Sequence, residues 1–354
     1  MISSLNVSTI EEWENRPDVD HNSVIDLSFS HLFNEPVDKL NLRSAISLKF
    51  GHRFDRPVDR LDLKLVKHLE FGYNFNQPIH NLDLRSVTHL TFSHKFNQPI
   101  DKLDLKSVSH LILGYEFNQP VDSLDLKSVT HLTFSHKFNQ PVDNLDLKLV
   151  THLIFENEFN QPVDKLDLKS VTHLMFGTNF NQSINQLDLK SVTDLDFGYY
   201  FNQPVNDVDL KSIRYLSFGW HFNQPIDMLN LELVSHLWFG SSFNQNIDNI
   251  IEKYPHLVII LYPDLVITLQ SRGYYENIVN KLKISISRSE LPQFVGVTYN
   301  DTCIVCQCSA SEIAIASCRH GYCVECLLQY LPTSRNCALC RRSINITNLC
   351  LIDK

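Results

Sequence analysis

Residues Phe138–Glu158 read FNQPVDNLDLKLVTHLIFENE, and the same phrase returns along most of the chain. Its opening Phe stands at 33, 54, 75, 96, 117, 138, 159, 180, 201, 222 and 243, eleven copies spaced by 21 with no insertion. A fixed period of this length means stacked supersecondary units, each burying its apolar side only against its neighbours. Every copy carries two apolar signatures, here Val142, Leu145, Leu147 and then Val150, Leu153, Phe155. The alternation Leu-x-Leu and Leu-x-Phe suits short half-buried strands, whose side chains alternate faces. Two strands and two turns use up 21 residues and leave no room for a full helix. The expected coil is therefore a flattened β-turn-β-turn. Stacked strands lie about 4.8 Å apart, so the coils predict a rod roughly 50 Å long.

The Phe in all eleven copies predicts an inward spine of stacked rings. The next position is Asn in ten copies and Asp55 in the other. It reads either as a surface turn residue or as an inward amide ladder. We favour the ladder, which would satisfy backbone groups of the adjacent coil, because a buried amide must be paired. Pro follows three residues after the Phe in nine copies and is replaced by Ser183 and Asn246 in the others. It fixes φ and donates nothing, as a turn allows. The FNQP phrase resembles the FNIP repeat, itself similar to a leucine-rich repeat with a shortened convex side, over about residues 24–262. Such repeats look like those of social amoebae and of giant viruses that infect amoebae. The fold class expected is mostly β: a leucine-rich-repeat-like solenoid of eleven coils, followed by a small zinc-stabilised α+β domain.

With 354 residues the chain exceeds one compact core, so two or more domains are expected. A net charge of −9 argues against nucleic acid as the main partner, which needs a basic stripe. The opening MISSLNVSTIEEW is acidic and lacks a basic start and an apolar run, so no signal peptide is expected. His256–Leu269, the most apolar stretch, is broken by Pro263 and Asp264 and is too short to span a bilayer. The expectation is a soluble protein of the (host) cytoplasm with no membrane partner. The N-x-S/T matches at Asn6, Asn181, Asn300 and Asn345 then read as chance.

Residues 1–23 stand outside the repeat and read as an N-terminal cap. Ser8 and Thr9 each precede a Glu by three residues, the capping-box pattern of a short helix that puts Ile10 and Trp13 on one face. The solenoid begins with the half-unit Val24, Leu27, Phe29. After Phe243 the phrase decays. Ile247–Tyr254 reads as helix and Leu257–Tyr262 as a last strand, which closes the solenoid at 262. Tyr274–Leu282 reads as a helix within a connector over 263–300.

Three outward columns follow from the register. Asp (Asp62, Asp83, Asp104 and onward to Asp209) stands beside Lys or Arg two residues later (Lys64, Arg85, Lys106 and onward to Lys211), a structural pairing of opposite charge. His recurs at 68, 89, 110, 131, 152, 173 and 236. A row of His can point to metal or a pH switch, but Cys and acidic partners at ligand spacing are missing, which argues against metal. The copies differ two residues after the His, from Lys49 and Glu70 through Ile112 to Trp238, and in the turn before each Phe. Variation confined to one side of a rigid array, with aromatic anchors, fits a recognition surface. The alternative is drift in unconstrained turns. The candidate target-binding residues are Met175, Tyr199, Tyr200, Trp220 and Trp238.

All nine Cys lie from residue 303 onward. Cys303, Cys306, Cys318, His320, Cys323, Cys326, Cys337 and Cys340 are spaced C-x2-C-x11-C-x-H-x2-C-x2-C-x10-C-x2-C. Eight such ligands make two closed tetrahedral zinc sites. A disulfide framework is the rival and lacks a secretion signal. About 40 residues form no adequate core alone, and structural zinc supplies about 10–16 kcal/mol in small modules. This order of seven Cys and one His resembles the C3HC4 RING finger, over 301–343, with a tail at 344–354. The resemblance implies interleaved ligation, one zinc on Cys303, Cys306, Cys323 and Cys326, the other on Cys318, His320, Cys337 and Cys340. It implies an E2 ubiquitin-conjugating enzyme as partner, held by Val305, Tyr330, Leu331 and Pro332. It also implies that Arg341 contacts ubiquitin and the conjugating enzyme together. Ala338 stands where the family usually has Pro. Cys308 and Cys350 are left over and read as structural. The expected function is a RING-type ubiquitin ligase whose solenoid recruits a protein target. The alternative is a non-catalytic adaptor with a structural zinc module.

Overall fold

A computed structural model describes residues 3–15, 25–42, 45–261, 282–284, 312–315, 321–323 and 350–353. They fall into two compact units, Met1–Val234 and Ser235–Lys354.

In the first unit eleven strands form one parallel sheet in chain order. They are β1 (Ser3–Val7), β2 (Ile25–Phe29), β3 (Ala45–Lys49), β4 (His68–Glu70), β5 (His89–Thr91) and β6 (His110–Ile112). There follow β7 (His131–Phe134), β8 (His152–Phe155), β9 (His173–Met175), β10 (Asp194–Asp196) and β11 (Tyr215–Ser217). From β3 onward the register advances one repeat per strand, so that His68 faces His89, Leu69 faces Leu90 and Glu70 faces Thr91. The fold is thus a parallel β-solenoid with very little helix. Because the register never slips there, each repeat position becomes a column along the sheet, and the strand Leu column is inward and buried throughout.

Two columns of Phe fill the core. Phe50 and Phe54 stack within one coil at 3.9 Å, and Phe54 stacks on Phe75 of the next at 5.9 Å. The amide ladder is present. Asn118 Oδ1 accepts the Asn139 N–H at 2.9 Å and the Gln140 Nε2–H at 3.1 Å of the following coil. The same pair of bonds recurs coil after coil, and Asp55 Oδ1 takes the same part toward Asn76 and Gln77. An acceptor is all the rung requires, which is why a carboxylate replaces the amide there.

The coil differs from expectation on its other side. Val142, Leu145 and Leu147 are inward and buried, but they form consecutive turns rather than a strand. Leu145 N–H donates to the Val142 carbonyl at 3.2 Å and Val150 N–H to the Leu147 carbonyl at 3.0 Å. Asp146 Oδ1 accepts the Lys148 N–H at 3.3 Å. That local Asx bond bends the backbone where a strand would have to stay extended. The Asp column therefore serves turn geometry first. Its ion pair with the adjacent cation, 3.3 Å for Lys148 Nζ to Asp146, is exposed and secondary.

At the N-terminus the expected helix is α1 (Ile10–Glu14). Thr9 Oγ1 accepts the Glu12 N–H at 3.0 Å, and the Glu12 carboxylate reaches back to the Ser8 N–H at 2.6 Å. Trp13 is buried and its Nε1–H donates to the Asn41 carbonyl at 2.8 Å. The cap also holds β1, which pairs with β2 and was not foreseen.

The second unit contains β12 (His236–Phe239), α2 (Asp248–Lys253), β13 (Val258–Leu261) and β14 (Leu282–Ile284). β12, β13 and β14 are parallel. The helix and last strand read after Phe243 are α2 and β13. The connector helix read over Tyr274–Leu282 lies outside the described residues except for Leu282, which starts β14. A separate antiparallel sheet joins β15 (Glu312–Ile315) to β16 (Gly321–Cys323) and to β17 (Cys350–Asp353). Cys350, at the end of the stretch read as a tail, thus begins a strand.

Candidate recognition face

The outer face of the first unit's sheet carries two columns and is continued by a third in the turn that follows each strand. In the first, His68, His89, His110, His131, His152 and His173 form a ladder, with successive ring centroids 4.1–4.2 Å apart. From His89 onward each Nδ1 lies 2.8–2.9 Å from the hydroxyl of the residue before it. Burial and the neighbouring imidazoles hold His89, His110 and His152 below the usual histidine range. Asp194 replaces His in the next coil; it accepts the Thr193 hydroxyl at 2.6 Å and lies 3.5 Å from His173 Nε2. Tyr215 follows in the same register.

The second column runs Lys49, Glu70, Thr91, Ile112, Thr133, Ile154, Met175, Asp196 and Ser217. Lys49 and Glu70 pair at 2.6 Å. Between them and Asp196 the column is uncharged. Burial pushes the Asp196 carboxyl up to about 6, partly offset by a hydrogen bond from Ser217.

The turn column is a second ring stack: His31, His52, Tyr73, His94, Tyr115 and His136 at 4.1–4.5 Å. Asn157 and Thr178 interrupt it, and it resumes with Tyr199 on Trp220 at 5.7 Å. Beside it Tyr200 stacks on His221 at 5.1 Å. The buried Nδ1 atoms of His94 and His136 make no hydrogen bond and lie 4.0 and 3.8 Å from Glu116 and Glu158. Burial lowers the His94 pKa against the pull of Glu116.

Of the five candidate target-binding residues, ring contacts join three, Tyr199 lying 5.0 Å from Tyr200 and 5.7 Å from Trp220. Met175, Tyr199 and Tyr200 are exposed, and Trp220 is half-buried against Tyr199, all on three adjoining coils. Trp238 belongs to the second unit, on β12 beside His236 at 5.6 Å. Tyr215, 43% exposed, lies on β11 of the same unit and is not among the sequence candidates. Its signal was an aromatic ring occupying the histidine register.

Of the zinc ligands, only the backbone of Cys323 is described, at the end of β16, opposite Ile313. Cys303, Cys306, Cys318, His320, Cys326, Cys337 and Cys340 lie outside the described residues, as do Val305, Tyr330, Leu331, Pro332 and Arg341. The donor chemistry, seven Cys and one His, fits zinc. Among the described residues no group of three His, Cys, Asp or Glu side chains is placed to hold a metal, the ladder included. Nor is any described helix long and apolar enough to cross a membrane.

Residues 299–347 match the family described as zinc finger, C3HC4 type (RING finger). Residues 3–114, 49–153, 94–177 and 133–250 each match the family described as Mycoplasma protein of unknown function, DUF285. No curated protein matches the chain. Among solved structures it is similar to CroV588, of a giant virus, described as a novel circular LRR protein. The similarity is 30% identity with a TM-score of 0.51, over 67% of this chain and 43% of that one. The chain thus spans less than half of that relative's length.

Proposed function

We propose that this chain, which belongs over residues 3–250 to the family described as Mycoplasma protein of unknown function, DUF285, and carries a RING finger over 299–347, is a RING-type ubiquitin ligase. The observation that carries the reading is the pairing in one polypeptide of a long regular face, varied along one column, with a RING finger. The repeats are those of FNIP proteins of amoebae and their giant viruses, a reading supported by the FNQP phrase and the likeness to CroV588.

The patch of Met175, Tyr199, Tyr200, Tyr215 and Trp220 recruits a protein target. Aromatic rings give large contact area at low entropic cost, the composition of binding hot spots. Zinc supplies the fold of the RING and takes no part in the transfer. Val305, Tyr330, Leu331 and Pro332 hold the ubiquitin-charged conjugating enzyme. A lysine amine of the target attacks the thioester carbonyl, an amide forms, and the carrier's thiol leaves. The ligase contributes positioning, and Arg341 donates hydrogen bonds to ubiquitin and carrier together. One observation favours a non-catalytic adaptor instead: Ala338 at the usual Pro position narrows the apolar contact offered to the carrier.

Incubation with activating enzyme, a panel of conjugating enzymes, ubiquitin and ATP separates the two. The ligase reading expects ubiquitin chains with at least one carrier, and their loss in Val305→Ala. Absence of chains with every carrier leaves the adaptor.

A further inference from the structure

The histidine ladder is built with more care than a structural column needs. Thr88, Ser109, Thr130, Thr151 and Thr172 each own one hydroxyl proton and have two close polar neighbours. One is a carbonyl of the preceding coil at 3.1 Å. The other is the Nδ1 of the next residue's imidazole at 2.8–2.9 Å. A carbonyl only accepts. If the hydroxyl gave its proton to the imidazole, it would face that carbonyl lone pair to lone pair. If it gives the proton to the carbonyl, both contacts become hydrogen bonds, with Nδ1–H donating to the hydroxyl oxygen. The arrangement favours the Nδ1–H form for the ladder imidazoles from His89 to His152, whereas His173 turns its Nε2 to Asp194 at 3.5 Å. The Nε2 lone pairs of the former are left to take up the next proton.

That proton finds no counter-ion within the middle of the ladder. The charges acting on His89 and His110 are those of fellow imidazoles, and on His152 also that of Asp194. The outward residues beside them, Thr91, Ile112, Thr133 and Ile154, are uncharged. Glu70 is already paired with Lys49 at one end, and Asp194 and Asp196 stand at the other. Lys67 precedes His68 and Arg214 precedes Tyr215, so neither supplies an anion. Two charged rings about 4 Å apart repel, the more strongly where water is partly excluded. Charge therefore settles first on alternate rungs, about 8 Å apart given the 4.1 Å stacking. Same-face side chains of an extended peptide recur about every 6.8 Å, a mismatch that flexible Glu side chains absorb.

We propose that the ladder is a proton-gated docking strip for an acidic segment of a partner protein, uncharged near neutrality and cationic in mild acid. It is independent of the ligase reading and uses other residues than the aromatic patch. On a chain of net charge −9 it is a local inversion of sign, so it selects acidic partners only when protonated.

The test uses the full chain and fluorescent poly-L-glutamate as probe, titrated at about pH 7.5 and about pH 5.5. Wild type should bind roughly 10-fold or more tightly at the lower pH. The double variant His110→Gln with His131→Gln should lose most of that gain, while Lys106→Gln with Lys127→Gln should keep it. Imidazole 15N spectra supply a readout that needs no ligand: Nδ1–H signals at neutral pH and titrations broader than a single site. Equal affinity at both pH values, an unchanged gain in the double His variant, or Nε2–H signals would overturn the proposal. So would tighter binding of a single-stranded oligonucleotide than of polyglutamate, since the strip would then not be one for protein.

Discussion

Asn139→Ala isolates what one rung of the amide ladder contributes. Asn139 Oδ1 accepts the Asn160 N–H at 3.0 Å and the Gln161 Nε2–H at 3.0 Å. The Gln161 Nε2–H also donates to the Asn139 carbonyl at 3.0 Å, a bond that Ala keeps, but the Asn160 N–H is a backbone donor set between coils. Leaving such a donor without an acceptor costs about 1–3 kcal/mol, so Ala should cost about 2 kcal/mol. Asn139→Asp keeps both acceptor contacts, as Asp55 does naturally at 3.0 and 2.8 Å. It should cost under about 1 kcal/mol, since a half-solvated carboxylate pays only part of its desolvation. Urea denaturation followed by circular dichroism gives the difference. Hydrogen exchange at the Asn160 amide supplements it, because repeat arrays depart from two-state unfolding. The reasoning fails if Asp damages the protein as much as Ala, or if Ala lies within about 0.5 kcal/mol of wild type.

Three further predictions concern register, charge and metal. Leu132→Asp places an unpaired charge in the core and should unfold neighbouring coils, whereas Thr133→Asp on the outer face should cost within about 0.5 kcal/mol; comparable losses in thermal melts would show the register to be wrong. Asp196 has a folded pKa pushed up to about 6 from 3.8, so the folded state holds its proton longer and stability falls as pH rises between those values. Asp196→Asn should therefore gain on the order of 1–2 kcal/mol at about pH 8, after allowing for partial solvation, and nothing below about pH 4, as melts at the two pH values would record. Metal analysis should find two zinc ions per chain, both lost on deleting residues 300–354. Cys323→Ser should release zinc yet leave the dichroism of the repeats intact.

The repeat made most of the solenoid legible. With eleven copies in phase, inward Phe54, Leu132 and Leu153 and outward His131 and Thr133 could be assigned from one phrase, and the sheet keeps that register. The amide ladder was legible because Asn recurs where only an acceptor toward the next coil would be retained. The turns at Val142–Leu147 were not, because Leu-x-Leu alternation describes which side chains point inward, whether the backbone is extended or bent. The cue to the bend was Asp146, whose side chain takes the Lys148 N–H. β1 was missed because Ser3–Val7 carries none of the phrase and gains its place only by pairing with β2. On the recognition face, residues differing from the repeat were visible singly, but the ring contacts that join Tyr199 to Tyr200 and to Trp220 depend on how successive turns stack, which one phrase does not state. The RING finger was legible from the Cys and His spacing, since thiolate chemistry constrains sequence more tightly than packing does, and residues 299–347 match that family.

Single-turnover discharge of ubiquitin from a preloaded conjugating enzyme to free lysine tests the central claim most directly. Wild type should accelerate discharge, and Arg341→Ala should bind the carrier nearly as well while discharging roughly 10-fold more slowly, the loss of about 1.4 kcal/mol of positioning. A wild-type chain that binds carriers but accelerates discharge from none of them would contradict the ligase account.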